Sequence, residues 1–284
     1  MKEEFKELEE KFALIQALQE LYDKMGGAKK KGTISEPKKF IAQARKRNSL
    51  FASLTQQDAH EFLNFLLNEA IDYFASIKKP EMKSIFQGTL VNETKCLCCE
   101  RISKRHEDFI DLSVDVMPNT SITSCLNSFS SMELLANKDK FFCENCNCLQ
   151  EAEKRMLVQK IPQILVLHLK RFKYIENVGR YVKISSSVPF PTTLRLFNTA
   201  DDCEQKDVLY SLFSVIVHVG NGPNHGHYVS VCESGGQWIL FDDDLVSAVD
   251  SSFLNAMFGA IGEVGGESAY ILFYRECASS LVEK

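Results

Sequence analysis

Two Cys-x-x-Cys pairs constrain the fold of this chain more than any other feature of its sequence. The four cysteines are Cys96, Cys99, Cys143 and Cys146. A Cys-x-x-Cys turn places two thiolates on one side of a Zn²⁺ ion, and two such turns complete a tetrahedral site with no position left for water. Cys98 and Cys148 offer alternative pairings with neighbouring ligands, but the two-residue spacer fits the tetrahedron better. The pattern predicts a structural zinc site that joins the tips of two β-hairpins.

Composition and charge argue against several classes of protein. The chain has 284 residues, of which 45% are hydrophobic, and a formal net charge of −5. That length suits one large globular domain or two small ones. The negative charge argues against a nucleic-acid partner, and no apolar run reaches the roughly 20 residues that a membrane helix requires. The charged N-terminal residues do not resemble a signal peptide, so we expect reduced cysteines and a location in the cytoplasm or the nucleus.

The periodicity of apolar residues changes from helical to strand-like along the chain. Intervals of three and four residues predict a helix over residues 3–25. Pro37 is expected to open a second helix that continues to Phe51, and Thr55 to cap a third. A shorter helix is expected after Ser121. Alternation then predicts strands over 86–91, 109–116, 163–174, 209–219, 227–233, 237–242 and 269–275. Helices first and strands later indicate an α+β domain.

A histidine and a carboxylate fall on two strands that are expected to be neighbours. His227 begins a strand after a glycine-rich turn, and the antiparallel return brings Asp242 or Asp243 beside it. A carboxylate there fixes the imidazole tautomer and stabilises the imidazolium cation. His218 and His225 are competing candidates for the base. A Mg²⁺ or Ca²⁺ site made of consecutive aspartates is disfavoured, because neighbouring side chains on a strand point to opposite faces.

An ordered set of motifs resembles the ubiquitin-specific protease (USP) family. Besides the two Cys-x-x-Cys pairs, the motifs are Gln56 to Phe62, Asp111 to Ser113, Pro162 to Phe172, Gly226 to Tyr228, Phe241 to Asp243 and Ala269 to Tyr274. Each motif is weak alone, whereas their order over nearly the whole chain is specific. The segment Pro37 to Ile41, together with Gln56 to Leu63, most resembles the small subfamily activated by WD-repeat proteins.

The resemblance implies a papain-like α+β fold with a helical thumb, an antiparallel β palm and zinc-tipped β fingers that grip ubiquitin. It implies a single catalytic domain over residues 1–284. Within it, residues 1–80 belong to the thumb, 84–160 mainly to the fingers with the zinc knuckles, and 161–278 mainly to the palm with the histidine and the aspartates.

The resemblance also implies a deubiquitinase, which cleaves the isopeptide bond after the C-terminal glycine of ubiquitin by Cys-His-Asp thiol catalysis. If the catalytic roles of the family apply to the matching residues, His227 is the general base, Asp242 is the carboxylate that orients it, and Asp243 is an assisting carboxylate. Asp58 and Glu61 are expected along the channel for the ubiquitin tail, where carboxylates can pair with arginines. A helix-start charge is the alternative role for Asp58. The implied partners are ubiquitin, ubiquitinated proteins and a WD-repeat activator.

The nucleophile is the part of the family pattern that finds no match here. Family members carry a Gly-Asn-Thr-Cys-Tyr-like box upstream of the Gln-Gln-Asp box, with its cysteine at a helix N-terminus. The first cysteine of this chain is Cys96. No other cysteine is expected at a helix start beside His227; those considered are Cys125, Cys203, Cys232 and Cys277.

Three hypotheses follow from this departure. The first is a deubiquitinase whose cysteine box is absent from these 284 residues, so that this chain alone is inactive. The second is a catalytically inactive protein that binds ubiquitin or a WD-repeat protein. The third is a zinc-stapled interaction module unrelated to ubiquitin.

Overall fold

The helix-rich and strand-rich parts of the sequence form separate units in the computed structural model of this chain. The units are Met1–Lys83 and Ser84–Lys284. The structure describes residues 2–27, 36–53, 55–118, 120–223, 225–259 and 266–277. The α+β class is confirmed, whereas the division into thumb, fingers and palm by residue range stays a prediction. Within the described ranges, no helix combines the length and the apolar character needed to cross a membrane.

Apolar residues at helical spacing build the first unit. Its helices are α1 (Lys2–Gly27), α2 (Lys38–Arg47) and α3 (Ala59–Ser76), with a 3₁₀ turn at Ser49–Ala52. Phe12 of α1 packs edge-on against Tyr73 of α3, with ring centroids 5.3 Å apart. Phe51 of the 3₁₀ turn packs in the same way against Phe62 of α3, at 5.1 Å. Such aromatic pairs combine a large buried area with a favourable ring geometry.

The start of α3 differs from the prediction that Thr55 caps this helix. The carboxylate of Asp58 accepts hydrogen bonds from the backbone N–H groups of His60, at 2.7 Å, and Glu61, at 3.2 Å. Asp58 is therefore the N-cap, a position that favours aspartate because it satisfies free N–H groups of the first turn. The Thr55 hydroxyl instead hydrogen-bonds the Ser53 hydroxyl, at 2.7 Å.

The second helix is shorter than the sequence predicted. It begins after Pro37 but ends at Arg47 rather than at Phe51. Asn48 adopts an extended conformation, and its side chain accepts a hydrogen bond from the N–H of Leu50. Asparagine favours this local bond over helix continuation, so a new 3₁₀ turn begins here.

Strands dominate the second unit. In chain order they are β1 (Gly88–Cys96), β2 (Ile102–Phe109), β3 (Leu112–Asp115), β4 (Glu133–Leu135), β5 (Phe141–Cys143), β6 (Cys148–Gln150), β7 (Ala152–Lys160), β8 (Ile164–Lys170), β9 (Phe172–Ile175), β10 (Arg180–Lys183), β11 (Thr193–Arg195), β12 (Leu209–Val219), β13 (His227–Ser234), β14 (Gln237–Asp242), β15 (Leu245–Val249) and β16 (Glu267–Glu276). The helices are α4 (Ile122–Phe129) and α5 (Phe253–Ala256), and further 3₁₀ turns lie at Asn137–Asp139 and Glu176–Val178. The 3₁₀ turn Pro80–Ile85 spans the boundary between the units. As predicted, Ser121 caps α4, because its Oγ accepts the N–H of Ser124 at 3.2 Å.

The strands form two larger sheets and two hairpins. A four-stranded sheet has the order β2-β1-β7-β4, and an eight-stranded sheet has the order β15-β14-β13-β12-β16-β8-β3 with β11 beside β12. The separate hairpins are β5–β6 and β9–β10. The main core lies on the larger sheet, where Leu165, Val215 and Leu272 are fully buried. The central strands β8, β12 and β16 therefore hold the second unit together.

The single strand predicted over residues 109–116 is wrong. β2 ends at Phe109 and pairs with β1 in the four-stranded sheet. β3 begins at Leu112 and pairs in parallel with β8 in the other sheet. Of the residues in β2 only Phe109 is buried, and the alternation belongs to β3, where Leu112 and Val114 are buried. The chain changes sheets between the two strands.

A buried arginine joins several loops of the second unit. Arg171 is fully buried. Its Nε donates to the carbonyl of Ala269 at 2.6 Å, and its Nη1 to the carbonyls of Ile184 and Ser186, both at 2.9 Å. Nη2 donates to the carbonyl of Phe258 at 3.2 Å. Desolvation lowers the pKa of Arg171 to about 10, but the fan of carbonyl acceptors compensates for the lost water.

Candidate active site and metal centre

The β13–β14 hairpin brings His227 to Asp242. Ser230 pairs with Phe241 across the hairpin, so the first residue of β13 and the last residue of β14 lie at the same end. The Nε2 of His227 donates to Oδ1 of Asp242 over 2.6 Å. Each of the two side chains is 43% exposed, so the imidazole is open to a reacting group from solvent.

The carboxylates make His227 a stronger base. The hydrogen bond that His227 donates to Asp242 raises the pKa of His227. Partial burial opposes this rise, and the charges on Asp242 and Asp243 add to it. Because a carboxylate only accepts hydrogen bonds, Nε2 keeps the proton and Nδ1 is the basic nitrogen of the neutral ring. Asp243 occupies the two-residue turn after β14, with φ at 52°, and its carboxylate lies within 4.8 Å of the other two groups. Of the two aspartates left open by the sequence, Asp242 makes the hydrogen bond.

The residue before His227 must be small. A Cβ atom on Gly226 would collide with the ring of His218, so only glycine fits. His218, one of the two competing histidines, is 3% exposed. Its ring packs edge-on against Phe172 and Tyr228, with centroids 5.1 Å away in each case. His218 is therefore part of the packed layer beneath the loop.

A cleft of about 700 Å³ lies next to this loop. One wall comes from the β9–β10 hairpin and includes Tyr174 and Tyr181. The other wall comes from the glycine-rich loop and includes Asn221, Pro223 and His225. His225, the second competing histidine, is exposed in this cleft. Aromatic rings with a few polar groups are typical of a peptide- or ligand-binding cleft.

The two predicted cysteine pairs come together. One ligand atom from each of Cys96, Cys99, Cys143 and Cys146 lies within 4.8 Å of the others. The Sγ atoms of Cys96 and Cys146 are 4.0 Å apart, and those of Cys99 and Cys143 are 3.6 Å apart. Zn–S bonds of 2.3 Å in a tetrahedron place sulfur atoms about 3.8 Å apart. The four thiols therefore fit a tetrahedral metal ion, and they are too far apart to be disulfides.

Both cysteine turns follow one local plan. The first strand of each hairpin, β1 or β5, ends on the first cysteine of the pair. The residue directly after the second cysteine is in the left-handed region: Glu100 at φ 60° and Asn147 at φ 53°. This reversal turns both thiols of a pair to one side. Cys98 and Cys148 are exposed and lie outside the four-sulfur cluster.

The thiols of the cluster differ in acidity. A backbone hydrogen bond from Arg101 lowers the pKa of Cys99 to about 6. Hydrogen bonding to Cys99, together with burial, raises the pKa of Cys146 above its ordinary value. Thiolates this close repel one another. All four thiols therefore lose their protons together only when a bound cation compensates the negative charge.

Asp58 and Glu61, the predicted substrate contacts, lie on the first turn of α3. Asp58 forms the N-cap described above, and Glu61 is exposed within the first turn. Both carboxylates suit a helix N-terminus, where the helix dipole favours negative charge. Their role toward a substrate stays a prediction.

Comparison with known proteins decides the family. The sequence model of the family described as ubiquitin carboxyl-terminal hydrolase matches residues 1–274. The chain belongs to this family. Ubiquitin carboxyl-terminal hydrolase 12 of Salmo salar is 46% identical to this chain over 290 residues, which cover 92% of this chain and 78% of the relative. Hydrolase 4 of Arabidopsis thaliana is 45% identical over 296 residues, covering 92% and 80%.

Solved structures agree with this assignment. A SAGA Ubp8/Sgf11/Sus1/Sgf73 DUB module bound to ubiquitin aldehyde contains a chain that matches with a TM-score of 0.71 at 31% identity. The match covers 84% of this chain and 53% of the solved chain. Our chain therefore spans about half the length of the solved chain that it matches.

One residue near the site escaped prediction. Lys183, at the end of β10, donates from Nζ to backbone carbonyls of the loop that leads to His227. The available signal was a lysine between Val182 and Ile184 in a strand-like segment. Buried lysines are rare unless they are paired, but the sequence did not reveal that Lys183 is buried.

Proposed function

We propose that this chain is the greater part of a USP catalytic domain that hydrolyses isopeptide bonds after the C-terminal glycine of ubiquitin. The observation that carries the proposal is the hydrogen bond of 2.6 Å between His227 and Asp242, within a chain that belongs to the ubiquitin carboxyl-terminal hydrolase family. The nucleophile in this proposal is the cysteine of a Gly-Asn-Thr-Cys-Tyr-like box, which the 284 residues of this chain do not include.

In this proposal His227 takes the proton of the nucleophilic thiol at Nδ1. Asp242 holds Nε2, so the ring keeps one tautomer and one orientation. The raised pKa of His227 favours an imidazolium–thiolate pair over the neutral pair, and the thiolate is the attacking species. The imidazolium then gives its proton to the departing lysine amine. Asp243 adds negative charge beside the imidazolium.

Ubiquitin and ubiquitinated proteins are the proposed partners. The solved relative described above was bound to ubiquitin aldehyde, and the cleft between the β9–β10 hairpin and the glycine-rich loop offers a place for an extended tail. Independently of that cleft, Asp58 and Glu61 of the first unit are proposed as substrate-binding carboxylates, because carboxylates pair with the arginines of a ubiquitin tail. A WD-repeat activator remains part of the proposal on the strength of the segments Pro37 to Ile41 and Gln56 to Leu63. The expectation that neither nucleic acid nor a membrane is a partner also stays a prediction.

Zinc is the proposed ion of the four-cysteine cluster. Its sulfur atoms match the edge lengths of a zinc–thiolate tetrahedron, and with four protein ligands the ion has a structural role. Each of the ten cysteines is free of disulfides, which supports a reducing compartment, the cytoplasm or the nucleus.

A second candidate function is ubiquitin or WD-repeat binding without cleavage. The observation that favours it is the position of the first cysteine, Cys96, which belongs to the metal cluster. Such a protein would keep the base and its carboxylate without using them.

The deciding experiment starts from the endogenous protein. Its intact mass and N-terminal sequence are measured, and that form is expressed beside residues 1–284. Hydrolysis of a fluorogenic ubiquitin amide is followed for both, together with ubiquitin binding by calorimetry. We expect the longer form alone to hydrolyse ubiquitin amide, and His227→Ala to lower its kcat/KM by about 10²- to 10⁴-fold.

His106→Ala is the matched control, because His106 is an exposed histidine of β2. It should leave kcat/KM unchanged. An endogenous protein that begins at Met1, binds ubiquitin and hydrolyses nothing would overturn the proposal and establish the binding function.

A further inference from the structure

Lys183 is a buried cation that binds three backbone carbonyls at the base of the glycine-rich loop. Its Nζ donates to the carbonyl oxygens of His218 at 2.9 Å, Gly220 at 2.7 Å and Gly266 at 2.6 Å. The side chain is 9% exposed. An ammonium group has three N–H donors and no acceptor, so the three carbonyls match its donors one to one.

Two of these carbonyls lie on either side of the residue that pairs with His227. Val219 is the β12 partner of His227, and it stands between His218 and Gly220. The third carbonyl, of Gly266, also accepts the backbone N–H of Gly220 at 2.8 Å. The ammonium group therefore joins the end of β12 to the start of β16 at the level of His227.

The glycine-rich loop has a backbone that is intrinsically free to adopt many conformations. It contains glycine at positions 220, 222 and 226, and Gly220 is at φ 133°, a conformation that only glycine adopts readily. Glycine-rich backbone has many alternative conformations, so a fixed geometry at its ends depends on specific contacts.

The charge on Lys183 is sensitive to its surroundings. Burial lowers the pKa of Lys183 to about 8; Arg171 adds to this effect, whereas Glu267 on β16 opposes it. On β12, the neighbouring titratable side chain is His218. The neutral amine keeps two N–H donors, so deprotonation releases one of the three carbonyls.

We propose that Lys183 is a positioning residue, which sets the place of His227 relative to Asp242 by clamping the three carbonyls around the end of β12. The proposal deepens the proposed function, because it concerns the same histidine. Lys183 acts on His227 through the backbone carbonyls that its ammonium group binds.

The test compares Lys183→Met with Arg180→Met by NMR titration of the His227 imidazole in residues 1–284. Both changes remove one positive charge from β10, but Arg180 is exposed. Loss of a positive charge alone raises the pKa of a histidine. Misplacement of His227 weakens its bond to Asp242 and lowers that pKa. We expect the His227 pKa to fall in Lys183→Met and to stay level or rise slightly in Arg180→Met, where only a charge is lost. An unchanged or raised value in Lys183→Met overturns the proposal.

A second measurement needs no Lys183 variant and covers the case in which Lys183→Met fails to fold. In the unmodified chain, the backbone amide resonances of Gly220 and Gly266 should share an inflection near pH 8, which persists in His227→Gln. The absence of this inflection overturns the clamp. These readouts do not require hydrolysis, so a failed activity assay refutes the proposed function without refuting the role of Lys183.

Discussion

At the scale of single residues, Asp242 controls the chemistry of His227. The carboxylate accepts the Nε2 proton and raises the pKa of the imidazole. A His whose pKa is higher in the folded state than in the unfolded state stabilises the fold fully below its unfolded pKa, and this contribution is lost as the pH rises through the folded value. Each side chain of the pair is 43% exposed. The pair therefore changes the pKa of the imidazole more than it changes the free energy of unfolding.

Asp242→Asn is expected to lower the pKa of His227. The amide has the shape of the carboxylate but no charge to stabilise the imidazolium. An NMR titration of the imidazole C–H resonances in residues 1–284 measures the change. Asp244→Asn is the matched control, since Asp244 follows in the same turn and lies outside the His227 cluster. Equal titration curves for the two variants would contradict the prediction.

Arg171→Met is expected to destabilise the second unit by at least about 3 kcal/mol. Methionine leaves four carbonyls without the donor that Arg171 supplies, and each buried unsatisfied acceptor costs about 1–3 kcal/mol, partly offset by the removal of a buried charge. Urea unfolding measures the difference. Arg105→Met provides the comparison at an exposed arginine of β2, where a change within about 0.5 kcal/mol is expected. A similar small change at Arg171 would show that its carbonyls find other donors.

At the scale of elements, the two cysteine turns depend on each other. Each hairpin brings only two thiols, and the strands β4, β5 and β6 beside them are three residues long. The β5–β6 hairpin therefore has little apolar area of its own and needs a cross-link to the longer β1–β2 hairpin.

Cys143→Ser is expected to abolish zinc binding and to lower the free energy of unfolding by more than about 4 kcal/mol, as loss of a structural metal does. Metal content by mass spectrometry should fall from one zinc per chain to near zero, and a chelator should reproduce the thermal shift in the unmodified protein. Cys148→Ser changes an exposed cysteine of the same hairpin and should retain the zinc. Full zinc content in Cys143→Ser would refute the four-cysteine site.

The sequence predicted elements well where alternation or spacing is strong. β12 and β14 have the predicted bounds, 209–219 and 237–242. β2 was not predicted, because its residues before Phe109 are polar or exposed and it lacks an apolar face of its own. The strand pattern alone left Asp242 and Asp243 open, and only the family resemblance assigned Asp242, because the distinction depends on the left-handed turn at Asp243. The strand propensity of individual residues does not predict which strands pair or which conformation a turn adopts.

At the scale of the whole molecule, long-range pairing determines the sheet of the second unit. β16, the last strand, is inserted between β12 and β8. The order of helices and strands along the chain was enough to predict the α+β class, but it does not specify which distant strands become neighbours. That order follows from packing over the whole core, in which β3, β8, β12 and β16 share one cluster.

This arrangement predicts where backbone amides exchange slowly with solvent deuterium. The amides of β12 and β16 should exchange last, because both strands are paired on two sides and carry buried residues such as Val215 and Leu272. β15 is an edge strand in which Leu245 and Val246 are 67% and 57% exposed, so its amides should exchange early. Hydrogen-exchange mass spectrometry resolves these strands, and equal protection of β15 and β12 would contradict the prediction.

The spacing of the four clustered cysteines also has a consequence during synthesis of the chain on the ribosome. Cys99 and Cys143 are 44 residues apart. At about 5–20 residues per second, the first pair of thiols leaves the ribosome roughly 2–9 s before the second. During that interval the nascent chain carries half of the four-cysteine cluster, whose two thiols are open to oxidants and to metal ions. His227 and Asp242 are 15 residues apart on one hairpin and are separated by about 1–3 s at the same rates.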